Sequence, residues 1–301
     1  MKRLFALALA LCLVFSLTGC GSKADRTDRK EALSAMKGNY TTDYAMDDVT
    51  EITPTELYND SDIIIKLVGI SGTTDAPSLA FAVRNGTKST LHFSVNYLQI
   101  NGCVMNCYFD KSQLSARTVT MNTLEAYNDF SPLNPYGDYV WSISLSFDLY
   151  DDDYNTIGTV TYDDTTSSYT GDEEPVTLEG YNLLDQDGFT ANILQVDIGE
   201  TASTVTMYFQ NDTDQHIYFS TNHVTLNGEE ASLWFWDELQ ANARTLEYSY
   251  IYDEDTYDNI VLSDEDELSF SLEVTNYDTG EVLISKDYTM NVGELRAALG
   301  S

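Results

Sequence analysis

The chain has 301 residues, with 15 basic and 49 acidic side chains and a formal net charge of −34 at pH 7. A surface this acidic repels polyanions, so nucleic acid is not an expected partner. Hydrophobic residues make up 43% of the chain and aromatic residues 12%, which excludes general disorder and supplies enough apolar surface for real cores.

The N-terminus has the pattern of a secreted lipoprotein. Lys2 and Arg3 precede an apolar run over residues 4–17, and the sequence Leu-Thr-Gly-Cys follows, ending at Cys20. This pattern predicts a signal peptide over residues 1–19 and, after cleavage, a diacylglyceryl group on the thiol of Cys20. Two acyl chains on one residue give stable anchoring. The alternative is an uncleaved helix with an incidental cysteine, but a membrane span needs about 20 apolar residues.

Residues 20–50 are predicted to be the lipidated cysteine and a flexible tether, with a short helix near residues 28–37. After cleavage 13 basic residues remain, and the tether holds five of them: Lys23, Arg26, Arg29, Lys30 and Lys37. Residues 38–301 then have 8 basic and 46 acidic side chains, a net charge of −38. Basic residues beside anionic lipid contribute about 1 kcal/mol each to binding. A solvated linker explains the same residues equally well.

The rest of the chain contains one unit twice. Residues 78–87 (SLAFAVRNGT) match residues 204–213 (TVTMYFQNDT) at an offset of 126. Ala-Arg-Thr at 116–118 then aligns with Ala-Arg-Thr at 243–245, at an offset of 127. So long a period indicates two tandem domains, because solenoid repeats have about 20–45 residues.

Apolar and polar residues alternate within both copies, which predicts strands. The inward positions change from odd to even numbers near Asn96 and near Asn222, so each copy needs a bulge or a change of sheet there. About seven strands per copy predict an all-β chain of two immunoglobulin-like β-sandwiches, over residues 51–172 and 173–295. The polar segment 162–174 is the expected linker.

Both copies contain the same order of features: a strand, the motif Asn-x-Thr, a second strand and an Asn-Gly pair. The Asn-x-Thr motif begins at Asn85 in the first copy and at Asn211 in the second. This pattern resembles the immunoglobulin-like repeats of Gram-positive surface lipoproteins. The resemblance covers both copies and implies an immunoglobulin-like fold and an envelope location. It implies no activity, so Cys20 is the only functional residue that it assigns.

No catalytic motif is present. His92, His216 and His223 are not placed alike in the two copies, and the sequence lacks the common zinc, nucleophile-elbow and phosphate-loop motifs. We therefore expect a protein that is not an enzyme and has no cofactor. An extracytoplasmic enzyme is the third hypothesis.

Acidic clusters make a calcium-dependent adhesion or sensor module the second hypothesis. Carboxylates gather at 151–155, 253–255 and 264–267. An EF-hand loop that began at Asp151 would have Thr156 in place of its glycine and Tyr162 in place of its glutamate, so that motif fails. An ion between the repeats would require convergence of Asp172, Glu173, Glu174, Asp185 and Asp187. Solvated turns explain the same residues, so no metal ligand is assigned.

Cys103 and Cys107 remain for other roles. An extracellular location favours a disulfide between them. An extended chain would hold their Cα atoms about 13 Å apart, beyond the limit of roughly 7 Å, so the bridge requires a bend after the Asn-Gly pair at 101–102. Free thiols are the alternative, and two cysteines alone are too few for zinc.

Trp234, Phe235 and Trp236 follow the second Asn-Gly turn. In a strand the two tryptophans would share one face and Phe235 would take the other. An outward pair would form a stacking platform for a sugar or peptide, but we expect the pair to lie in the core. Arg117 and Arg244, which the alignment matches, are expected to form structural ion pairs.

The sequence therefore predicts a non-enzymatic surface protein, anchored by lipid to the outer face of the bacterial cell membrane. Its expected contacts are the membrane, through the anchor, and an unidentified extracellular protein or glycan. It would bind that partner or act as a spacer.

Overall fold

The computed structural model describes residues 23–38, 51–60, 62–73, 76–127, 140–173 and 177–300. Within these ranges the chain forms nineteen strands and two helices, which confirms the predicted all-β class. The predicted signal peptide and Cys20 lie outside the described residues. In those ranges no helix is both long and apolar enough to cross a bilayer.

Ten strands build the first copy of the unit, here called repeat 1. They are β1 (Thr55–Asn59), β2 (Ile63–Thr73), β3 (Ala76–Asn85), β4 (Leu91–Ile100), β5 (Cys103–Val104), β6 (Asn106–Phe109), β7 (Gln113–Leu114), β8 (Thr118–Tyr127), β9 (Ser142–Tyr150) and β10 (Thr156–Thr165). One sheet has the order β1-β2-β3-β8-β6, and the other has the order β10-β9-β4, with β5 and β7 paired to β4.

Nine strands build the second copy, repeat 2. They are β11 (Tyr181–Gln186), β12 (Phe189–Ile198), β13 (Ser203–Asn211), β14 (Ile217–Leu226), β15 (Glu229–Leu233), β16 (Trp236–Leu239), β17 (Arg244–Asp253), β18 (Glu267–Asn276) and β19 (Val282–Asn291). Here β11-β12-β13-β17-β15 form one sheet, and β16-β14-β18-β19 form the other.

Both repeats have the strand order of an immunoglobulin-like sandwich. In repeat 1, β2-β3-β8-β6 faces β10-β9-β4, the order A-B-E-D facing G-F-C. In repeat 2, β12-β13-β17-β15 faces β19-β18-β14 in the same order. Each repeat encloses its own cluster of buried apolar side chains, over residues 52–162 in the first and 183–295 in the second. The inward side chains therefore come from both sheets of one repeat, as the alternation predicts.

The predicted irregularity is confirmed as a β-bulge in both repeats. The register of β4 against β9 shifts between Val95 and Tyr97, and that of β14 against β18 shifts between Asn222 and Thr225. In repeat 2 the bulge includes His223, whose φ is 52°. An extra residue turns the following side chains to the other face, which explains the change from odd to even inward positions.

The predicted match between Arg117 and Arg244 is wrong. Val83 pairs with Thr120, and Phe209, its equivalent, pairs with Thr245, so the offset in this strand is 125 rather than 127. Arg117 therefore corresponds to Asn242, and both have a left-handed φ, 58° and 56°. The register of a strand follows from which of its side chains face the core. The Ala-Arg-Thr sequence therefore occurs in both copies by chance and does not mark equivalent positions.

A buried asparagine fixes the same turn in each repeat. Asn85 donates from Nδ2 to the carbonyl oxygens of Ser89 (3.0 Å), Leu114 (3.0 Å) and Ser115 (3.2 Å), and its Oδ1 accepts from the N–H (3.1 Å) and hydroxyl (2.7 Å) of Thr87. Asn211 bonds the equivalent groups of Gln215, Leu239, Gln240 and Thr213. Both asparagines are fully buried, so the Asn-x-Thr motif is structural.

The tether is more ordered than the sequence predicts. Helix α1 (Lys23–Met36) packs on the outer face of the first sheet of repeat 1, where Ala32 and Ala35 are buried against Val68, Ala80, Ala82 and Met121. Small side chains let the helix approach the sheet closely. The predicted short helix near residues 28–37 is therefore part of a longer one.

Two elements extend beyond the limits that the sequence suggests for them. Strand β10 continues to Thr165 and so includes the first four residues of the predicted linker, 162–165. At the other end, helix α2 (Val292–Leu299) extends beyond residue 295 and buries Val292 and Leu295 in the second core. Asn291 caps it by accepting from the N–H of Glu294 (3.0 Å).

The two repeats touch where β17 begins. The N–H of Arg244 donates to the carbonyl oxygen of Gly102 (2.9 Å), and Arg244 forms a parallel bridge with Cys103. Arg244 is 4% exposed, and its Nη2 lies 3.2 Å from Asp212 Oδ1. The predicted ion pair is thus present for Arg244, whereas Arg117 is exposed. The buried arginine serves the junction between the repeats.

Candidate functional site

The two tryptophans of the Trp-Phe-Trp segment are at the surface. Trp234 is 67% exposed and Trp236 is 58% exposed, whereas Phe235 is buried and packs edge-on against Phe209 at 5.7 Å between ring centroids. The expectation that the tryptophans lie in the core is therefore wrong. Alternation places only one of the two sides inward, and the inward side chain is Phe235.

Tyrosines line the outer side of β17. Tyr248 and Tyr250 are 43% and 45% exposed, with their rings edge-on at 5.9 Å, while the intervening Ser249 and following Ile251 are buried. Tyr252 stacks on Tyr257 at 6.1 Å. Period-two alternation explains the row, because residues two apart in a strand share a face.

Trp234 borders this row. It directly follows β15, which pairs with β17, and its backbone N–H donates to Ser249 Oγ (3.0 Å). We call Trp234, Tyr248, Tyr250, Tyr252 and Tyr257 the aromatic face. Asp253 fixes the turn that carries Tyr257 by accepting from the N–H of Thr256 (2.8 Å) and of Asp255 (3.1 Å). The hydrogen bonds from Thr256 lower the pKa of Asp253, so its carboxylate is charged at neutral pH.

Trp236 belongs to a separate group on the other sheet. Its indole stacks on Tyr218 at 4.6 Å, with 9° between the ring planes. Nearby, His216 stacks on Tyr277 at 4.1 Å and its Nε2 lies 2.8 Å from Glu238 Oε1. Trp236 and Tyr277 remain exposed, so this group also presents ring surface, but on a different sheet from the one that carries the aromatic face.

The histidines are not assembled for catalysis. His92 stacks on Tyr154 at 5.6 Å, and its Nε2 lies 3.6 Å from Asp152 Oδ1. His216 faces Glu238 in the other repeat, and His223 lies in the bulge of β14. No two histidines share a site within the described ranges, and the polar partners of His92 and His216 are carboxylates and an amide.

Carboxylates of the acidic clusters accept hydrogen bonds from the backbone N–H groups of their own turns. Asp151 accepts from the N–H groups of Asp153 and Asn155, both at 2.9 Å. Asp266 accepts from the N–H of Ser263 (2.7 Å) and from Asn227 Nδ2 (2.8 Å). Among the described residues no group of three or more His, Cys, Asp or Glu side chains is arranged to hold a metal ion. Glu174 of the proposed inter-repeat set lies outside those residues.

We expect Ca²⁺ to stabilise the protein no more than Mg²⁺ does. Either cation relieves the repulsion among carboxylates by screening, which is not selective. The measurement is the melting temperature at millimolar Ca²⁺ or Mg²⁺ in about 0.15 M NaCl. A saturable, Ca²⁺-selective increase that is lost in Asp185→Asn/Asp187→Asn would support the calcium hypothesis instead.

The two cysteines are free thiols, so the expected disulfide is not formed. The Asn-Gly turn bends the chain before Cys103, as that bridge requires, but the cysteines then lie on successive strands, β5 and β6, which pair with different sheets. Both thiols pack with the first core. Burial raises the pKa of Cys103 and of Cys107 to about 12, so neither is a reactive thiolate at neutral pH.

Comparisons with known proteins assign no family. A scan against protein-family models finds no match, and a search of curated proteins finds none. Among solved structures, Bacteroides uniformis β-glucuronidase matches at 12% identity and a TM-score of 0.25, and a calcium-binding mutant of its β-glucuronidase 2 matches at 10% and 0.25. Each match covers 72% of this chain and 26% of the other, so the chain spans about a quarter of those enzymes. TM-scores this low support no inference about function.

Proposed function

We propose that the chain is a lipid-anchored surface protein without enzymatic activity, and that the aromatic face of repeat 2 binds an extracellular glycan or protein. This proposal rests on the exposure of Trp234, Tyr248 and Tyr250, which are not part of the buried core of repeat 2. Large aromatic side chains exposed together on a folded surface are typical of binding sites, because a partner that covers them removes apolar area from water.

The chemistry of the face suits a neutral or cationic ligand. A sugar can lay its C–H surface on the tyrosine and tryptophan rings, and a protein can bury its own side chains on them. Asp253 and Glu254 lie at one end of the face, and Ser232, which contacts Glu254, supplies a hydroxyl. These groups accept hydrogen bonds from sugar hydroxyls or from amide groups. The acidic surroundings disfavour anionic ligands.

The order of the chain supports this arrangement. Helix α1 lies on repeat 1 and begins three residues after Cys20. An acyl group on Cys20 would therefore hold repeat 1 next to the membrane. Repeat 2, with the aromatic face, would then be the part more available to extracellular partners.

The anchor has its own test. We expect Cys20→Ala to accumulate as unprocessed precursor and to lack the acyl mass, because the thiol is the only group that accepts the lipid. The measurements are intact mass and partitioning into detergent, with Cys107→Ala as a control that keeps the wild-type mass shift and partitioning. Wild-type processing of Cys20→Ala would contradict the anchor.

The binding function is tested by titrating envelope glycans and extracellular proteins against the full chain and measuring heat and melting temperature. We expect at least one neutral or cationic ligand to bind saturably. If only non-saturable, salt-sensitive association is found, the chain is better described as a spacer.

A further inference from the structure

Helix α1 has two chemically different sides. Ala32 and Ala35 face the sheet and are buried, whereas the opposite side carries Arg26, Arg29, Lys30 and Leu33, and Lys37 directly follows the helix; all five are exposed. These five residues and Ser34 line a shallow groove of about 430 Å³. Spacings of three and four residues bring them onto one side of the helix. Leu33 is 41% exposed among the four cations.

The sheet beneath the helix adds basic residues. Lys66 pairs in the sheet with Ala82, under the helix, and its Nζ donates to the carbonyl oxygen of Met36 (3.4 Å). Arg84 is exposed and pairs with Val119, which packs beside the helix. Lys111 bonds Asp28 of the helix at 3.2 Å. Ion pairs balance much of the charge that these residues add, since Glu56 lies 3.4 Å from Lys66 and Asp110 lies 3.5 Å from Lys111, which also pairs with Asp28. The net positive charge of the surface therefore comes mainly from the helix and from Lys37 directly after it.

This concentration of basic residues contrasts with the rest of the chain. Residues 38–301 have only eight basic side chains, and three of them belong to the surface just described. Of the others, Arg244 is buried at the junction and Arg296 pairs with Asp264 at 2.6 Å. We call Arg26, Arg29, Lys30, Leu33 and Lys37, with Lys66, Arg84 and Lys111, the basic face.

We infer that the basic face docks on anionic lipid headgroups and lays repeat 1 against the membrane. This inference rests on the proposed lipid anchor, which would place α1 at the bilayer surface. Basic side chains gain from the negative surface potential, and Leu33 enters the headgroup boundary as the apolar residues of interfacial helices do. The acidic remainder does not prevent docking, because charges more than about 8 Å away are largely screened at physiological salt.

The arrangement also sets the orientation of the protein. Because α1 lies flat on the sheet, contact between its outer side and the bilayer would turn that sheet of repeat 1 toward the membrane. Anionic lipid would thus convert a flexible attachment into a fixed orientation. In a zwitterionic bilayer the acyl chains would hold the protein without fixing it.

The test uses the full chain with its anchor, in nanodiscs of phosphatidylcholine alone or with about 30% phosphatidylglycerol. Hydrogen exchange of residues 23–38 is measured by mass spectrometry. We expect phosphatidylglycerol to slow their exchange at least about threefold, and about 0.5 M NaCl to remove the difference. Arg29→Glu/Lys30→Glu should lose the effect. Lys88→Glu/Lys286→Glu, with the same change in net charge elsewhere, should keep it.

The outcomes separate the basic face from the anchor. Equal exchange in the two kinds of nanodisc, with the acylated protein attached to both, would overturn the docking surface and leave the anchor intact. If Cys20 carries no acyl group, the anchor has failed, and the same comparison is made with protein added to preformed nanodiscs. Slower exchange on anionic discs would then still support the basic face, and equal exchange would overturn it.

Discussion

Replacing Phe235 with alanine is expected to lower the free energy of unfolding by about 3–5 kcal/mol, the usual cost of deleting a large buried aromatic side chain. Phe235 is 2% exposed and packs against Phe209 in the second core. Its neighbours provide matched controls, because Trp234→Ala and Trp236→Ala remove larger side chains from exposed positions and should each cost less than about 1 kcal/mol. The measurement is denaturant unfolding of the full chain.

The opposite ranking would contradict the described placement. If Trp234→Ala or Trp236→Ala destabilised the protein as much as Phe235→Ala, the tryptophans would be core residues, as the sequence alone suggests. The aromatic face would then not exist as a binding surface. The three variants therefore test stability and the candidate site together.

Asn85→Ala and Asn211→Ala are each expected to cost about 2–4 kcal/mol, because each change leaves several buried backbone groups without a hydrogen-bond partner. Asn59→Ala is the control, since Asn59 is exposed and its Nδ2 donates to the exposed carboxylate of Glu56 (2.9 Å). Calorimetry should also show where each effect falls. We propose from the separate cores that the repeats unfold as two domains, so each variant should lower mainly the transition of its own repeat.

A single transition that both variants lower equally would argue against two separate folding units. The contact of Arg244 with Gly102 and Cys103 would then couple the repeats strongly enough to unfold them together. Expressing residues 51–172 and 173–300 as separate fragments would show whether each repeat folds alone or needs the other repeat to fold. Fragments that each unfold cooperatively would support two domains that are coupled in the full chain.

Periodicity was sufficient to predict the class of fold, the duplication and the bulges. Alternation reports which side chains face a core, so the change of parity near Asn96 and Asn222 identified both bulges without coordinates. The same signal did not distinguish register within the repeat, because Ala-Arg-Thr occurs in both copies by chance. Only strand pairing shows that Arg117 corresponds to Asn242.

The candidate site was less accessible to sequence reasoning. The Trp-Phe-Trp segment has an inward and an outward side whichever way it is oriented, and sequence does not say which side faces the core. The docked position of α1 was missed for a related reason. Ala32 and Ala35 are too small to produce a strong apolar stripe in the sequence. They nevertheless suffice to pack the helix on the sheet, because the sheet also has alanines at the contact. The basic side of the helix, by contrast, could have been found from the spacing of Arg26, Arg29, Lys30 and Lys37.

The most direct test of the proposed function is the affinity of the full chain for the ligand that binds best in the screen of glycans and extracellular proteins. Trp234→Ala/Tyr250→Ala should weaken binding at least about tenfold, since buried aromatic contacts dominate many interfaces. Trp236→Ala, on the other sheet, and Tyr154→Ala, in repeat 1, should bind as the wild type does. An unchanged affinity in Trp234→Ala/Tyr250→Ala, with its fold intact, would contradict the assignment of the aromatic face as the binding surface.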